Sequence, residues 1–189
     1  MAGSDLISLP KDALDDVAAR VGASLRGENN GTGLRVGAAC ALFNGGITLR
    51  LLNGALAALA EAGTDRRDIT VAWAPGAFEL PLVARAFANA GKVDAVLCFG
   101  AVIRGDTGHY DFVAGECASG IQRVQLDTGV PVIFGVLTTD TLEQALERSE
   151  PDESNKGREA ALTGVEMVRL LRATPLAGAL SGARAAGAR

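Results

Sequence analysis

Four short runs of almost wholly apolar residues, each followed by a stretch with helical spacing, constrain this chain more than any other feature. The runs are Leu34–Leu42, Ile69–Ala74, Val93–Ala101 and Val130–Leu137. Each has the length of a strand and lacks the apolar–polar alternation of a strand with one wet face. A strand with no wet face is covered on both sides, as in parallel sheets packed between helices. The intervening stretches supply those helices. Ile47–Ala62 is stopped by Gly63, Ala77–Asn89 ends near Gly91, and Ala114–Leu126 follows a polar loop. A short helix capped by Thr139 or Asp140 runs to about Arg148, and after the polar break Ser149–Ser154 a longer one spans Asn155–Arg172. The expected fold class is α/β, a four-stranded parallel sheet flanked by helices.

The chain of 189 residues holds one such domain, expected at residues 34–173, with an extension at 1–33 and a tail at 174–189. In the extension, Leu14, Val17, Ala18, Val21 and Leu25 recur at helical spacing and predict a helix over Lys11–Leu25. Gly27–Gly33 reads as a flexible linker. The tail is Ala, Gly and Arg, and disorder is expected there.

With 48% hydrophobic and only 4% aromatic residues, the core must be aliphatic, so an aromatic in a polar loop stands out. A net charge of −4 and no basic patch interleaved with aromatics argue against a nucleic-acid partner. No apolar run approaches the ~20 residues that cross a bilayer, which argues against a membrane. The first residues lack the charged-then-apolar pattern of a signal peptide. The three cysteines, Cys40, Cys98 and Cys117, show no CxxC and read as small buried hydrophobes in a reducing, cytoplasmic setting.

Polar residues collect where the strands end. Phe43 and Asn44 follow the first strand, Pro75-Gly76-Ala77-Phe78-Glu79 the second, Val102 to His109 the third, and Thr138-Thr139 the fourth. Carboxyl ends of parallel strands share one edge of the sheet, where open α/β folds bind ligands. The edge would hold the only histidine, His109, two aromatics beside polar groups, and glycines that let backbone N–H groups approach an anion. That suits a flat polar ring together with an anion. Taken singly, each residue has a plainer role: Phe43 and Phe78 as core, Glu79 and Arg148 as complements to helix dipoles, Gly76, Gly105 and Gly108 as turn residues. One histidine and unclustered cysteines leave no metal site. There is no GxSxG, GxxxxGK[ST] or GxGxxG after the first strand, so no nucleotide or hydride cofactor is expected.

Several longer motifs then occur in register over about residues 34 to 173. They are Phe43-Asn44 with Ile47-Thr48; Pro75 to Pro81 (PGAFELP); Gly100 to Thr107 (GAVIRGDT) with His109 and Asp111-Phe112-Val113; Leu126 to Thr139 (LDTGVPVIFGVLTT); Glu143-Gln144-Ala145; and Asn155-Lys156-Gly157 with Glu159-Ala160-Ala161. In these the chain resembles the lumazine synthase family of riboflavin biosynthesis. The resemblance implies a flavodoxin-like three-layer sandwich. It also implies condensation of 5-amino-6-(D-ribitylamino)uracil with 3,4-dihydroxy-2-butanone 4-phosphate to 6,7-dimethyl-8-ribityllumazine, without a cofactor. Carried over by position, Phe43 stacks on the pyrimidine, which Ala77, Phe78 and Glu79 hold, Glu79 through the ribityl chain. Ala101, Val102, Ile103 and Phe134 contribute backbone contacts to the ring. Asp106 and Thr107 bind phosphate and Arg148 pairs with it. His109 transfers protons, with Lys156 as a helper.

As partners the resemblance implies small-molecule substrates and further copies of the chain. Those copies form a pentamer, a decamer or a 60-subunit shell, with active sites shared between neighbours, and a riboflavin synthase is a candidate associate. The chain departs from the family at Gly108, where Pro or Thr is usual, at Gly45-Gly46, in the acidic Ser149–Ser154 link, and in its long N-terminal extension. Three other readings share the fold. A non-catalytic shell or lumazine/flavin carrier would bind without turnover. An archaeal-type riboflavin synthase has no phosphate-bearing substrate to occupy Asp106, Thr107 and Arg148. A flavodoxin-like FMN protein would need a hydroxyl-rich loop where Phe43-Asn44-Gly45-Gly46 stands.

Overall fold

A computed structural model describes residues 11–173. The elements are α1 (Lys11–Arg20), β1 (Val36–Ala41), α2 (Gly45–Glu61), β2 (Ile69–Ala74), α3 (Leu80–Asn89), β3 (Ala95–Ile103), α4 (His109–Thr128), β4 (Val132–Thr139), α5 (Leu142–Glu147) and α6 (Lys156–Arg172). One-turn 3-10 segments precede β2 at Arg66–Asp68 and α3 at Ala77–Glu79. The four strands are parallel in the order β2-β1-β3-β4, with Val36 level with Ile69 on one side and Ala95 on the other. The fold is a flavodoxin-like α/β sandwich.

Two apolar layers hold it together. Leu97, Phe99 and Ala101 of β3 pack with Leu51 and Leu59 of α2 and Val165 of α6. The alternate residues Val96, Cys98 and Val102 pack with Leu80 and Ala84 of α3 and Cys117 and Ile121 of α4. Each Val, Leu, Ile or Phe side chain fully buried from water stabilises by roughly 1.5–3 kcal/mol relative to an exposed one. Small residues set the layer spacing. A Cβ at Gly157 would lie 1.9 Å from the Leu51 carbonyl oxygen, so α6 crosses α2 at backbone contact. Asn155, 1% exposed, makes that crossing affordable in polar terms. Its Oδ1 accepts from Gly157 N and Arg158 N at 2.9 and 3.2 Å, capping α6, while its Nδ2 donates to the Glu150 carbonyl at 2.8 Å.

The structure departs from the sequence expectations at four places. The helix expected from Ala114 begins at His109, because Asp111 suits a first turn and its N–H finds the Gly108 carbonyl at 3.2 Å. Its apolar periodicity starts only at Cys117, Ile121 and Val124, which is why the first turn reads as loop. The cap of α5 is Thr141, not Thr139 or Asp140: its hydroxyl accepts from Gln144 N, and the Gln144 side chain accepts from Asp140 N at 3.0 Å. The first helix stops at Arg20, with Val17, Val21 and Leu25 exposed.

Gly27–Gly33 is docked rather than free. Gly31 N donates to the Ala62 carbonyl at 2.6 Å, and Arg169 of α6 donates to the carbonyls of Asn30 and Thr32, each at 2.7 Å. Residues 1–10 and the tail at 174–189 lie outside the described residues. None of the described helices is long and apolar enough to cross a membrane.

Candidate active site

The chain leaves β1, visits β2 on one side, then crosses to β3 on the other, so the order reverses between β1 and β3. That reversal opens a crevice at the carboxyl ends of the strands. Beyond Ala41, Leu42 N and Phe43 N donate to the carbonyls of Ala74 and Pro75 at 2.8 and 3.1 Å, which keeps the exit of β1 beside that of β2. Asn44 then takes a left-handed conformation, φ 55°, the only non-glycine residue to do so among the described residues. Its side chain does not cap α2. It donates from Nδ2 to the Ala101 carbonyl at 2.9 Å and ties the exits of β1 and β3 together across the crevice.

Three walls enclose a cavity of about 790 Å³, a size that takes a small organic ligand. The first is Phe43 and Asn44. The second runs from Pro75 to Glu79, where the 3-10 turn buries Ala77 and leaves Phe78 and Glu79 outward. The third is the end of β3, Ala101 to Ile103, followed by Gly105, Thr107 and the start of α4 at His109. Phe43 and Phe78 are 72% and 55% exposed, so neither is the core residue that composition favours. An exposed aromatic face beside open backbone is a surface on which a flat ring can stack.

Of the residues singled out in the sequence, the cavity gathers Phe43, Ala77, Phe78, Glu79, Ala101, Val102, Ile103, Thr107 and His109. Asp106, Phe134, Arg148 and Lys156 do not line it. Phe134 lies on the edge strand β4, level with Cys98, and is 40% exposed. Arg148 follows α5, pairs with Glu147 at 3.6 Å and donates to the Gln144 carbonyl. Lys156 pairs with Glu159 one turn along α6. Tyr110, Phe112 and Val113 join the lining without having been assigned a role from the sequence. They do so because α4 starts at His109; an acidic first-turn residue, Asp111, three positions after Gly108 was the available signal for that start.

Among the described residues no lysine or arginine lines the cavity. Arg104 sits beside it with its charge already paired: the Asp140 hydrogen bond, reinforced by Asp111, holds its guanidinium pKa above the ordinary value. The His109 backbone N–H donates a long hydrogen bond to the Thr107 hydroxyl at 3.5 Å, and His109 is exposed and lines the cavity. The thiols take no part. Burial pushes Cys40 and Cys117 up to about 12 and Cys98 higher still, so all three stay protonated. Among the described residues no cluster of His, Cys, Asp or Glu is assembled that would hold a metal ion.

The family model described as 6,7-dimethyl-8-ribityllumazine synthase matches residues 33–172, most of the chain. The chain belongs to this family. Its matched region begins just before β1 and ends with α6, so it includes every element that forms the cavity. Lumazine synthases are transferases of riboflavin biosynthesis.

Proposed function

We propose that the chain condenses 5-amino-6-(D-ribitylamino)uracil with 3,4-dihydroxy-2-butanone 4-phosphate to 6,7-dimethyl-8-ribityllumazine, phosphate and water. The observation that carries this reading is the convergence of Phe43, Glu79, the Ala101–Ile103 backbone, Thr107 and His109 on one cavity from three separate strand exits. The uracil ring stacks on Phe43 with its edge against Ala101–Ile103, and Glu79 accepts hydrogen bonds from the ribityl hydroxyls. The phosphate lies at the Gly105–Gly108 loop.

The aromatic amine attacks the ketone and water leaves as the imine forms. Phosphate is then eliminated, and the second nitrogen closes the ring with loss of another water. Each step moves protons and none needs a covalent enzyme intermediate. An imidazole at His109 can both accept and return them. Holding two substrates in contact supplies much of the remaining acceleration.

A phosphate-bearing substrate is bound best opposite a cation, and among the described residues the cavity presents none. Arg148 and Phe134 lie away from it, with the Arg148 side chain 45% exposed. This division supports a homo-oligomer in which Arg148 and Phe134 of one copy complete the cavity of the next, as the pentamer expected from the resemblance would allow. Arg148 then stabilises the departing phosphate through charge-assisted hydrogen bonds.

The test mixes purified protein with both substrates and follows lumazine absorbance above the spontaneous rate. H109A is expected to lower kcat on the order of 100-fold, the lower end for a positioned acid–base group, without abolishing turnover. Lumazine binding with no acceleration by the wild-type chain would replace this reading with that of a carrier or shell protein.

A further inference from the structure

The loop Gly105-Asp106-Thr107-Gly108 carries the proposed phosphate contacts and leads directly into His109, yet almost nothing packs on it. All four residues are exposed, and a Cβ at Gly105 or Gly108 would meet nothing within 4 Å. Such a segment samples many conformations unless its ends are held, and ordering it on binding would weaken affinity. The ends are held by one side chain. Arg104, the residue before the loop, donates its backbone N–H to the Thr139 carbonyl at 2.9 Å. Its Nε donates to Asp140 Oδ1 at 2.9 Å, just beyond β4. Its Nη1 donates to Asp111 Oδ1 at 3.2 Å in the first turn of α4, and its guanidinium carbon lies 4.0 Å from the centre of the Tyr110 ring. Entry and exit of the loop are thereby joined across a single planar group.

We propose that Arg104 is a positioning residue: it clamps the two ends of the Gly105–Gly108 loop and so presets Thr107 and His109 for the phosphate-bearing substrate. The proposal rests on the reading of the site given above. Arg104 does not bind the phosphate itself, since two carboxylates already satisfy its charge and it does not line the cavity. One exposed ion pair holds little, but here two carboxylates and a ring face converge on a fork whose geometry lysine cannot reproduce.

The test measures amide hydrogen exchange over residues 105–109 of the full chain and, separately, KM for each substrate. In R104M exchange of the loop is expected to quicken about tenfold and KM for the butanone phosphate to rise about tenfold, because the competent loop conformation is less populated. KM for the pyrimidine should stay within about twofold, since Phe43 and Glu79 lie on the other two walls and Ala101–Ile103 is held in register by β4 rather than by the loop. Unchanged loop exchange, or an equal rise in both KM values, overturns the proposal. Restoration of wild-type exchange and KM by R104K also overturns it, because bare charge would then suffice. If R104M does not fold, D140N removes the shorter side-chain bond and takes the same two readouts. If the wild-type chain forms no lumazine, the functional reading fails and loop exchange alone decides the clamp.

Discussion

Two glycine-rich stretches of this chain, Gly27–Gly33 and Gly105–Gly108, look alike in composition and behave in opposite ways. The first lies against α6. A Cβ at Gly27 would come within 1.9 Å of the Glu166 carbonyl oxygen, so glycine is there to let two backbones touch. Gly27 and Gly31 are buried, and Arg169 holds the carbonyls of Asn30 and Thr32 on either side of Gly31. The second stretch is open to water along its length and fastened only at its ends. Glycine content therefore does not distinguish a docked segment from a free one. What distinguishes them is whether another element's backbone or a long cationic side chain arrives from elsewhere in the chain.

The sharpest way to break this comparison is G27A. Forcing a methyl group into backbone contact with α6 should cost about 3 kcal/mol, at the upper end for overpacking, and lower the urea midpoint accordingly. A G27A protein as stable as the parent would mean that the segment is not docked and the two stretches are alike.

A smaller effect is expected at Asp94, which anchors the same face. Its carboxylate accepts from Arg35 and from Arg172 at the end of α6, at 3.1 and 2.7 Å, with its side chain 9% exposed. Desolvation alone would raise its pKa, but the Arg35 hydrogen bonds and the charge of Arg172 outweigh it and leave it below the usual 3.8. A carboxylate depressed on folding contributes stability above its unfolded pKa, and that contribution is lost as pH falls through the folded value. D94N should cost about 1 kcal/mol at pH 7 and flatten the loss of stability between about pH 5 and the acid limit. A stability–pH curve parallel to that of the parent would show that the pair carries no weight.

The smallest effect is expected in the free loop. Gly105 has open space and no positive φ, so G105A should stabilise by less than about 1 kcal/mol through the unfolded chain alone. Destabilisation by more than that would show packing on this loop and bring it closer in kind to Gly27–Gly33.

Much of the candidate site was legible because it is local in sequence. Phe43, Ala77–Glu79 and Ala101–Ile103 each follow a strand directly, and parallel strands deliver their carboxyl ends to one edge. His109 and Thr107 follow from the same rule. Tyr110, Phe112 and Val113 were missed because their turn of helix lies at the cavity: Phe112 is exposed and Tyr110 and Val113 only half-buried at the margin of the apolar layer, so the fully buried periodicity starts later, at Cys117. Phe43 and Phe78 show the converse: composition favours burying a phenyl ring, and only their place at strand exits leaves them exposed.

By itself the sequence determined the class of fold and the family, since apolar runs of strand length, helical spacing between them and long ordered motifs are all local patterns. It also determined that any site would lie at the carboxyl edge of the sheet. Only the tertiary structure decided which residues meet. It separated Asp106, Phe134, Arg148 and Lys156 from the cavity, gave Arg104 its two carboxylates, and joined Arg169 to carbonyls 139 and 137 positions away. The reason is physical: periodicity reports what a residue does to its own helix or strand, whereas close backbone approach and ion pairing depend on partners that the chain brings together only when it closes on itself.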